Sequence, residues 1–175
     1  KYLLTFQTFL SRVPKWNNSI VEEEKNRICS VSGCTYLEDL ITCVHVIQLK
    51  ALTCIRVGQK SKKIDMLSSR ILILGITFKE NCSDTRNSRV VELYKDLAKV
   101  SKKVDVHDYY ADKLAVKKEF GIELIQNLNH NYDVIVLAVA HNKYIKLDYS
   151  KLLKKNYILY DVKSVLPKNI ITLRL

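Results

Sequence analysis

The chain has 175 residues, and 47% of them are hydrophobic, which is enough to build a folded core and argues against disorder. The formal net charge of +11 favours negatively charged partners. Because no more than two cations stand side by side, this charge favours a solvated surface first, a small phosphate ligand second and nucleic acid last. The longest apolar runs, residues 71–76 and 134–140, are too short for a membrane span, so we expect none.

The cysteines and the first residues predict a cytoplasmic protein. The five cysteines are odd in number and lack a Cys-x-x-Cys spacing, which fits a reducing compartment better than a disulfide framework. We expect no signal peptide, because polar residues interrupt residues 1–10 and no small-residue cleavage site follows. The chain starts with Lys1 rather than methionine, so we expect a fragment of a longer protein.

The chain divides into residues 1–69 and residues 70–175 at a polar, basic stretch that is typical of a linker. The first part is predicted to be mainly helical, with a candidate helix over residues 19–27, whereas residues 36–55 fit either a buried helix or strands. The spacings among its cysteines and His45 match no standard zinc pattern, so we expect buried structural cysteines and no metal site. These cysteines are Cys29, Cys34, Cys43 and Cys54.

The second part alternates apolar strands with amphipathic helices, which predicts a Rossmann-like parallel sheet flanked by helices, an α/β fold. The strands are uniformly apolar, as expected when both faces are covered, and the third is predicted to be central. Val90, Leu93 and Leu97 recur at helical spacing, and Gly121 is expected to end the second helix. The predicted strands are residues 71–74, 104–107, 133–139 and 157–161. The first predicted helix begins near Thr85, with Asp84 or Ser83 as its cap, and two further helices cover residues 111–120 and 149–154.

Residues 71–89 are the most informative segment of the chain. An apolar strand ends at Gly75, a polar loop carries Lys79, and the predicted helix carries Arg86 in its first turn. A cation in that turn opposes the helix dipole, so we favour a functional role for Arg86, whereas Arg89 is expected to be a surface charge. Backbone N–H groups, the dipole and the two cations together predict an anion site, although Lys79 has the alternative of a solvated loop lysine.

Polar, aromatic and cationic residues follow every predicted strand, at the edge where open parallel sheets bind ligands. A nucleotide needs this mixture, because its base requires an apolar or aromatic wall and its phosphates require cations. Ordinary roles are favoured for His141 as a solvent-facing loop residue, for Asp108 as a turn or cap rather than a ribose ligand, and for Cys82 as an inert thiol. The candidates are Thr77, Phe78, Lys79, Asp108, Tyr109, Tyr110, His141, Asn142, Lys143, Lys163 and Ser164.

One motif is missing from the predicted first turn of this sheet. Residues 75–80 read Gly-Ile-Thr-Phe-Lys-Glu and lack the Gly-x-Gly-x-x-Gly that lets backbone approach a dinucleotide pyrophosphate. The motif does not occur elsewhere in the chain. We therefore do not expect this domain to hold NAD in the usual mode.

Five segments of the second part resemble the C-terminal, UDP-binding domain of the UDP-glucose/GDP-mannose dehydrogenase family. The first is Gly-Ile-Thr-Phe-Lys-Glu-Asn-Cys-Ser-Asp-Thr-Arg-Asn-Ser-Arg-Val at residues 75–90. The segments follow the family's order and cover residues 70–175 almost continuously. The resemblance is closest to the UDP-N-acetylhexosamine 6-dehydrogenases of bacterial and archaeal surface-polysaccharide pathways. The other four segments are residues 104–112, 119–123, 132–141 and 159–168.

The resemblance implies an enzyme of three parts, namely an NAD domain, a helical middle domain and this C-terminal domain. Such enzymes oxidise the C6 alcohol of the sugar to a carboxylate in two NAD-dependent steps, through a thioester-forming cysteine. By the same resemblance Phe78, Lys79 and Arg174 contact the UDP-sugar, and Arg86 reaches the NAD across the domain cleft. A homo-oligomer joined through the middle domain is also implied.

The chain departs from the family pattern in several places. Ser83 and Tyr109 stand where proline is usual, and Thr172 and Leu173 replace the Asp-Gly that precedes Arg174. The NAD domain and the catalytic-cysteine motif are not found, so we expect no catalytic residue and no activity of this chain alone. By position alone, residues 1–69 are interpreted as a remnant of the middle domain. The alternative is a non-enzymatic, Rossmann-like nucleotide-binding or interaction module.

Overall fold

The computed structural model describes residues 55–56, 58–129 and 131–174. The candidate helix over residues 19–27, most of residues 36–55, and the four cysteines and His45 of the considered zinc site lie outside the described residues. Within the described part, every helix is too short or too polar to cross a membrane.

A five-stranded parallel sheet forms the centre of the described chain, which confirms the predicted Rossmann-like α/β fold. Its order is β2-β1-β3-β4-β5, so the third strand is central, as predicted, while the short fifth strand was not predicted. The strands are β1 (Arg70–Leu74), β2 (Lys103–His107), β3 (Tyr132–Leu137), β4 (Leu153–Asp161) and β5 (Leu173–Arg174). The helices are α1 (Val90–Ala98), α2 (Lys113–Phe120), α3 (Asn142–Ile145) and a 3-10 helix (Tyr149–Lys151).

The apolar strands are explained by two cores, one on each face of the sheet. On β1, Ile71 and Ile73 point into the core that contains α1 and α2, whereas Leu72 and Leu74 point into the core that contains α3. Successive residues of a strand face opposite sides, so a strand buried on both faces needs an unbroken apolar run. Polar side chains are therefore placed at the amino and carboxyl ends of the strands.

The predicted start of the first helix was wrong. The helix begins at Val90, not near Thr85, and neither Ser83 nor Asp84 caps it. Asn87 takes a φ of 60°, in the left-handed region that interrupts a right-handed helix. The segment before α1 is therefore a loop.

Two other helix boundaries also differed from the sequence prediction. The predicted helix over residues 149–154 is a 3-10 helix of three residues, because β4 already begins at Leu153. The second helix begins at Lys113 with Asp112 as its cap, where the Asp112 side chain accepts a bond from the Ala115 N–H. Its predicted end is confirmed, since Gly121 follows it with a φ of 71°.

Residues 55–56 and 58–62 are also helical and pack near β4 and β5, on the face of the sheet that carries α1 and α2. Ile55 is fully buried in the core, and a Cβ added to Gly58 would approach Leu173 of β5. Asn156 of β4 donates a 2.8 Å hydrogen bond to the carbonyl of Lys62. The division between residues 69 and 70 stays a prediction, and we propose that the packed unit already includes Ile55.

An ionic cluster around the buried Asp105 carboxylate joins three strands at the amino-end edge of the sheet. The Asp105 carboxylate of β2 accepts a 2.8 Å bond from the Tyr132 hydroxyl of β3 and lies 3.5 Å from Arg70 of β1. Lys103 lies 3.3 Å from the other carboxylate oxygen. Tyr132 is fully buried, and burial together with this bond to Asp105 raises its pKa. The cluster therefore ties neighbouring strands through side chains.

We expect Tyr132→Phe to lower the free energy of unfolding by about 1.5 kcal/mol, because the ring stays while a bond to a buried carboxylate is lost. Urea unfolding followed by circular dichroism measures this change. Tyr157→Phe is the matched control, since its hydroxyl makes a 3.5 Å contact with the Ile170 carbonyl and should contribute less than about 0.5 kcal/mol. Equal effects at the two tyrosines would contradict the role of the Asp105 bond.

Candidate nucleotide-binding site

The strand order places the topological switch point between β1 and β3. The chain leaves β1 toward β2 on one side and β3 lies on the other, which opens a crevice at the carboxyl ends of both strands. Residues 75–89 follow β1, and residues 138–141 follow β3. Side chains from these two loops therefore meet at the edge where the sequence predicted a ligand.

A groove of about 180 Å³ lies at this switch point, beside the N-terminus of α1. Phe78 forms an exposed apolar wall, with 59% of its surface accessible. Lys163, from the loop after β4, enters the same groove and pairs with Glu80 at 3.4 Å. The structure thus brings together three of the predicted residues, which are Thr77, Phe78 and Lys163.

The expectation that His141 is a solvent-facing loop residue was wrong. Its side chain is fully buried beneath the loop that carries Phe78. The ring accepts a 2.8 Å bond from the Asn81 N–H at Nδ1, while Nε2 lies 3.2 Å from Thr77 Oγ1 and 3.1 Å from Asp108 Oδ2. His141 therefore supports the rim from below and does not line it.

Asp108 is a buried structural carboxylate, in line with the favoured interpretation as a turn or cap. One oxygen accepts the N–H of Ile76 at 2.6 Å, and the other accepts the N–H groups of Tyr110 and Ala111 at 2.8 and 3.0 Å. Burial raises the pKa of this carboxyl, but the bonds from His141 and the backbone outweigh burial, so its pKa lies below the ordinary value.

Because of these contacts, four backbone N–H groups of the predicted anion site are not available to a ligand. The N–H groups of Ile76 and Thr77 face Asp108, and the N–H of Phe78 donates to the Asp84 carbonyl at 2.7 Å. The amide of Asn81 is bonded to His141. These four amides are thus occupied within the protein and do not face an anion.

Three of the predicted cations that lie outside the groove are in different environments. Lys79 is exposed at the tip of the loop. Arg86 is 80% exposed and grips Asp84 through two bonds of 3.0 and 2.9 Å, which lower the Asp84 pKa to about 2. Its predicted place in the first turn of a helix was wrong, because α1 begins only at Val90. The backbone of Arg174 pairs with Asp161 at the carboxyl end of β4.

Sequence reasoning missed Asp161, which shapes the site. Asp161 is fully buried and accepts the N–H groups of Lys163 and Leu166, which fixes the loop after β4. Lys143, by contrast, was among the predicted candidates, and it lies over the ring of Tyr109 with Nζ 4.7 Å from the ring centroid. An aspartate at the end of an apolar strand was the available signal, because Asp108 follows β2 and Asp161 is the last residue of β4.

Metal binding has no support in the described part of the chain. Residues 55–56, 58–129 and 131–174 contain no group of three His, Cys, Asp or Glu side chains placed to hold an ion. Cys82 donates a 3.2 Å contact to the Lys79 carbonyl within the loop. The Cys82 thiol thus has a partner within its own loop.

Two family models match the chain. Residues 72–168 match the UDP-glucose/GDP-mannose dehydrogenase family, UDP binding domain. Residues 1–82 match a family of unknown function, DUF5764. The first match runs from within β1 into the loop after β4 and includes all residues that line the groove.

Curated relatives match the same part of the chain. A UDP-N-acetyl-D-glucosamine 6-dehydrogenase of Salmonella typhi is 41% identical over 110 residues, which are 61% of this chain and 26% of the relative. An enzyme of the same description from Pseudomonas aeruginosa is 37% identical over 118 residues, 65% of this chain and 28% of the relative. The chain therefore spans about a quarter of the length of these relatives.

Solved structures share the fold at low sequence identity. A dehydrogenase of NDP-N-acetyl-D-galactosaminuronic acid from Methanosarcina mazei Go1 aligns with a TM-score of 0.64 and 21% identity, over 82% of this chain and 33% of that chain. A UDP-D-ManNAc dehydrogenase from Pyrococcus horikoshii aligns with a TM-score of 0.61 and 18% identity, over 73% and 30%. Both alignments support the α/β architecture described above.

Proposed function

We propose that this chain, which belongs to the UDP-glucose/GDP-mannose dehydrogenase family through its UDP-binding domain, holds the UDP-sugar of a nucleotide-sugar 6-dehydrogenase. The substrate would be a UDP-N-acetylhexosamine, oxidised with NAD to its uronic acid for surface-polysaccharide synthesis in the cytoplasm. The observation that carries the proposal is the groove at the switch point, where Phe78 and Lys163 meet on one rim. This rim offers both an apolar wall and a cation, as a nucleotide diphosphate requires.

Within the proposal, each rim residue has a separate task. Phe78 is exposed enough to cover the uracil ring, and Lys79 lies next to it at the loop tip. Lys163 exchanges its present partner Glu80 for a phosphate oxygen, which replaces one ionic contact by another. Thr77 completes the groove wall, and Arg174, on the neighbouring strand, is proposed as a further substrate contact.

NAD is assigned mainly to a part of the enzyme other than the domain described here. The first strand–loop turn does not fit a dinucleotide pyrophosphate, because Asp108 already accepts the N–H groups of Ile76 and Thr77 and a carboxylate repels phosphate. Arg86 remains the proposed contact to NAD from this chain. We also propose that the full enzyme is a homo-oligomer and that this chain forms no NADH by itself.

We expect Lys79→Ala to weaken the binding of UDP about tenfold, because one charge-assisted contact to phosphate is removed. Isothermal titration calorimetry with the purified chain measures this change. Uridine, which lacks phosphates, should bind the wild type and the variant equally. Lys102→Ala is the matched control, since it removes the same charge from the residue just before β2, at the opposite edge of the sheet.

Two results would contradict the proposal. The first is an absence of binding heat when UDP or UDP-N-acetylglucosamine is titrated into the wild-type chain. The second is an equal loss of affinity in the Lys79 and Lys102 variants, which would indicate a general charge effect rather than a site.

A second candidate function is a nucleotide-binding module without dehydrogenase activity. It is the alternative if residues 1–82, which match a family of unknown function, do not belong to a dehydrogenase. The coding sequence upstream of residue 1 distinguishes the two candidates, because a Gly-x-Gly-x-x-Gly domain there supports the enzyme and a start codon near residue 1 supports the module.

A further inference from the structure

We infer that His141 is a positioning residue that fixes the loop of residues 77–81 in the shape that presents Phe78 and Lys79 to the nucleotide. This inference rests on the proposed function, because it concerns the same site. His141 itself is fully buried and does not reach the groove. Its effect on binding must therefore pass through the loop.

The imidazole holds the loop at both of its ends. At one end Nε2 lies 3.2 Å from Thr77 Oγ1, and at the other end Nδ1 accepts the N–H of Asn81 at 2.8 Å. The residues between these two contacts include Phe78 and Lys79, which the proposed function assigns to UDP. One rigid ring thus sets the distance between the two ends of the binding loop.

The hydrogen-bond directions follow from the donors. Because Nδ1 accepts from the Asn81 amide, the ring proton lies on Nε2, where it is shared between Thr77 Oγ1 and Asp108 Oδ2. The Thr77 hydroxyl is then free to donate its own proton to the Lys79 carbonyl at 3.0 Å. The imidazole therefore orients the backbone of Lys79 through one intervening hydroxyl.

A hydrogen bond at the surface adds to the two contacts that His141 makes with the loop. The Asn81 side chain accepts the N–H of Asn142 at 3.0 Å, directly beside His141. Asn81 also has a φ of 56°, a conformation whose energetic cost is offset by contacts with its neighbours. Loop residues that are ordered before the ligand arrives lose less entropy on binding, so loosening this loop should weaken affinity.

The test uses side chains that keep one or neither of the two contacts. His141→Asn retains an acceptor near Nδ1, His141→Gln retains a donor near Nε2, and His141→Leu retains neither. Asn81→Gly removes the hydrogen bond between the Asn81 side chain and the Asn142 N–H, while glycine tolerates the positive φ and buries no new group. UDP affinity is measured by calorimetry, amide exchange of Asn81 by mass spectrometry or NMR without ligand, and folding by thermal unfolding.

We expect His141→Leu to lower UDP affinity about tenfold and to speed exchange of the Asn81 amide, while His141→Asn restores both toward wild type. Asn81→Gly should lower affinity about threefold with little change in melting temperature. Should His141→Leu fail to fold, the Asn81 variant and the Asn and Gln variants carry the test. Wild-type affinity in folded Leu and Gly variants would overturn the inference.

The outcome also separates this inference from the proposed function. A wild-type chain that does not bind UDP contradicts the proposed function alone, because exchange of the Asn81 amide is measured without ligand. In that case, unchanged exchange in a folded His141→Leu variant overturns the positioning role, and faster exchange that His141→Asn reverses supports it.

Discussion

Replacing Gly75 with alanine is expected to lower the free energy of unfolding by about 3 kcal/mol or more. Gly75 has a φ of 90°, which an L side chain rarely adopts. A Cβ at this position would lie 2.5 Å from the Cβ of Val139 and 3.0 Å from its backbone nitrogen. Both loops of the switch point would have to separate, so binding of UDP should be lost together with stability.

Gly121→Ala separates conformational strain from collision. Gly121 has a similar φ of 71°, but an added Cβ would meet nothing within 4 Å. Strain alone should cost about 1 kcal/mol there. Urea unfolding of both variants measures the difference, and equal losses at the two glycines would contradict the proposed contact between Gly75 and Val139.

Asp108→Asn is expected to lower the free energy of unfolding by about 3 kcal/mol. The carboxylate accepts bonds from four backbone N–H groups and from His141 with both of its oxygens. An amide presents one acceptor and two donors, so at least one of these buried N–H groups would face another donor. Chemical denaturation measures the loss.

The matched control for this substitution is Asp112→Asn, four positions along the chain. Asp112 is exposed and caps α2 through one bond to the Ala115 N–H, a role in which asparagine is equally effective. Its replacement should change stability by less than about 0.5 kcal/mol. Comparable losses at both aspartates would contradict the structural role of Asp108.

The stability that Asp108 provides should also depend on pH. Its pKa in the folded state lies below the ordinary 3.8, so the contribution is fully present above that value and is lost as the pH falls through the folded-state pKa. The difference in unfolding free energy between wild type and Asp108→Asn should therefore shrink from about pH 5 to about pH 2. A difference that stays constant over this range would argue against an ionised Asp108.

The strands could be predicted from sequence because burial on both faces leaves an unbroken apolar run, as in β1 and β3. The start of α1 could not be predicted, because the residues before Val90 fit a helix in composition. The helix is interrupted by the positive φ of Asn87, which composition does not reveal. The strand β5 has two residues and no periodicity, and its pairing depends on β4.

The residues of the site were easier to predict than their roles. The rule that ligands bind at the carboxyl ends of strands selected Thr77, Phe78 and Lys163, which do meet in the groove. The burial of His141 was missed because its partners Asn81 and Thr77 are 60 and 64 positions away in the sequence. Such a contact has no local pattern.

The occupied amides of the loop have an evolutionary consequence. Because the backbone donors of residues 76–78 are satisfied internally, the scaffold does not depend on any ligand to complete it. Exposed tips such as Phe78 and Lys79 are free to vary without disturbing that scaffold. We therefore propose that substitutions of these outward side chains change the ligand preference of the site at little cost in folding stability.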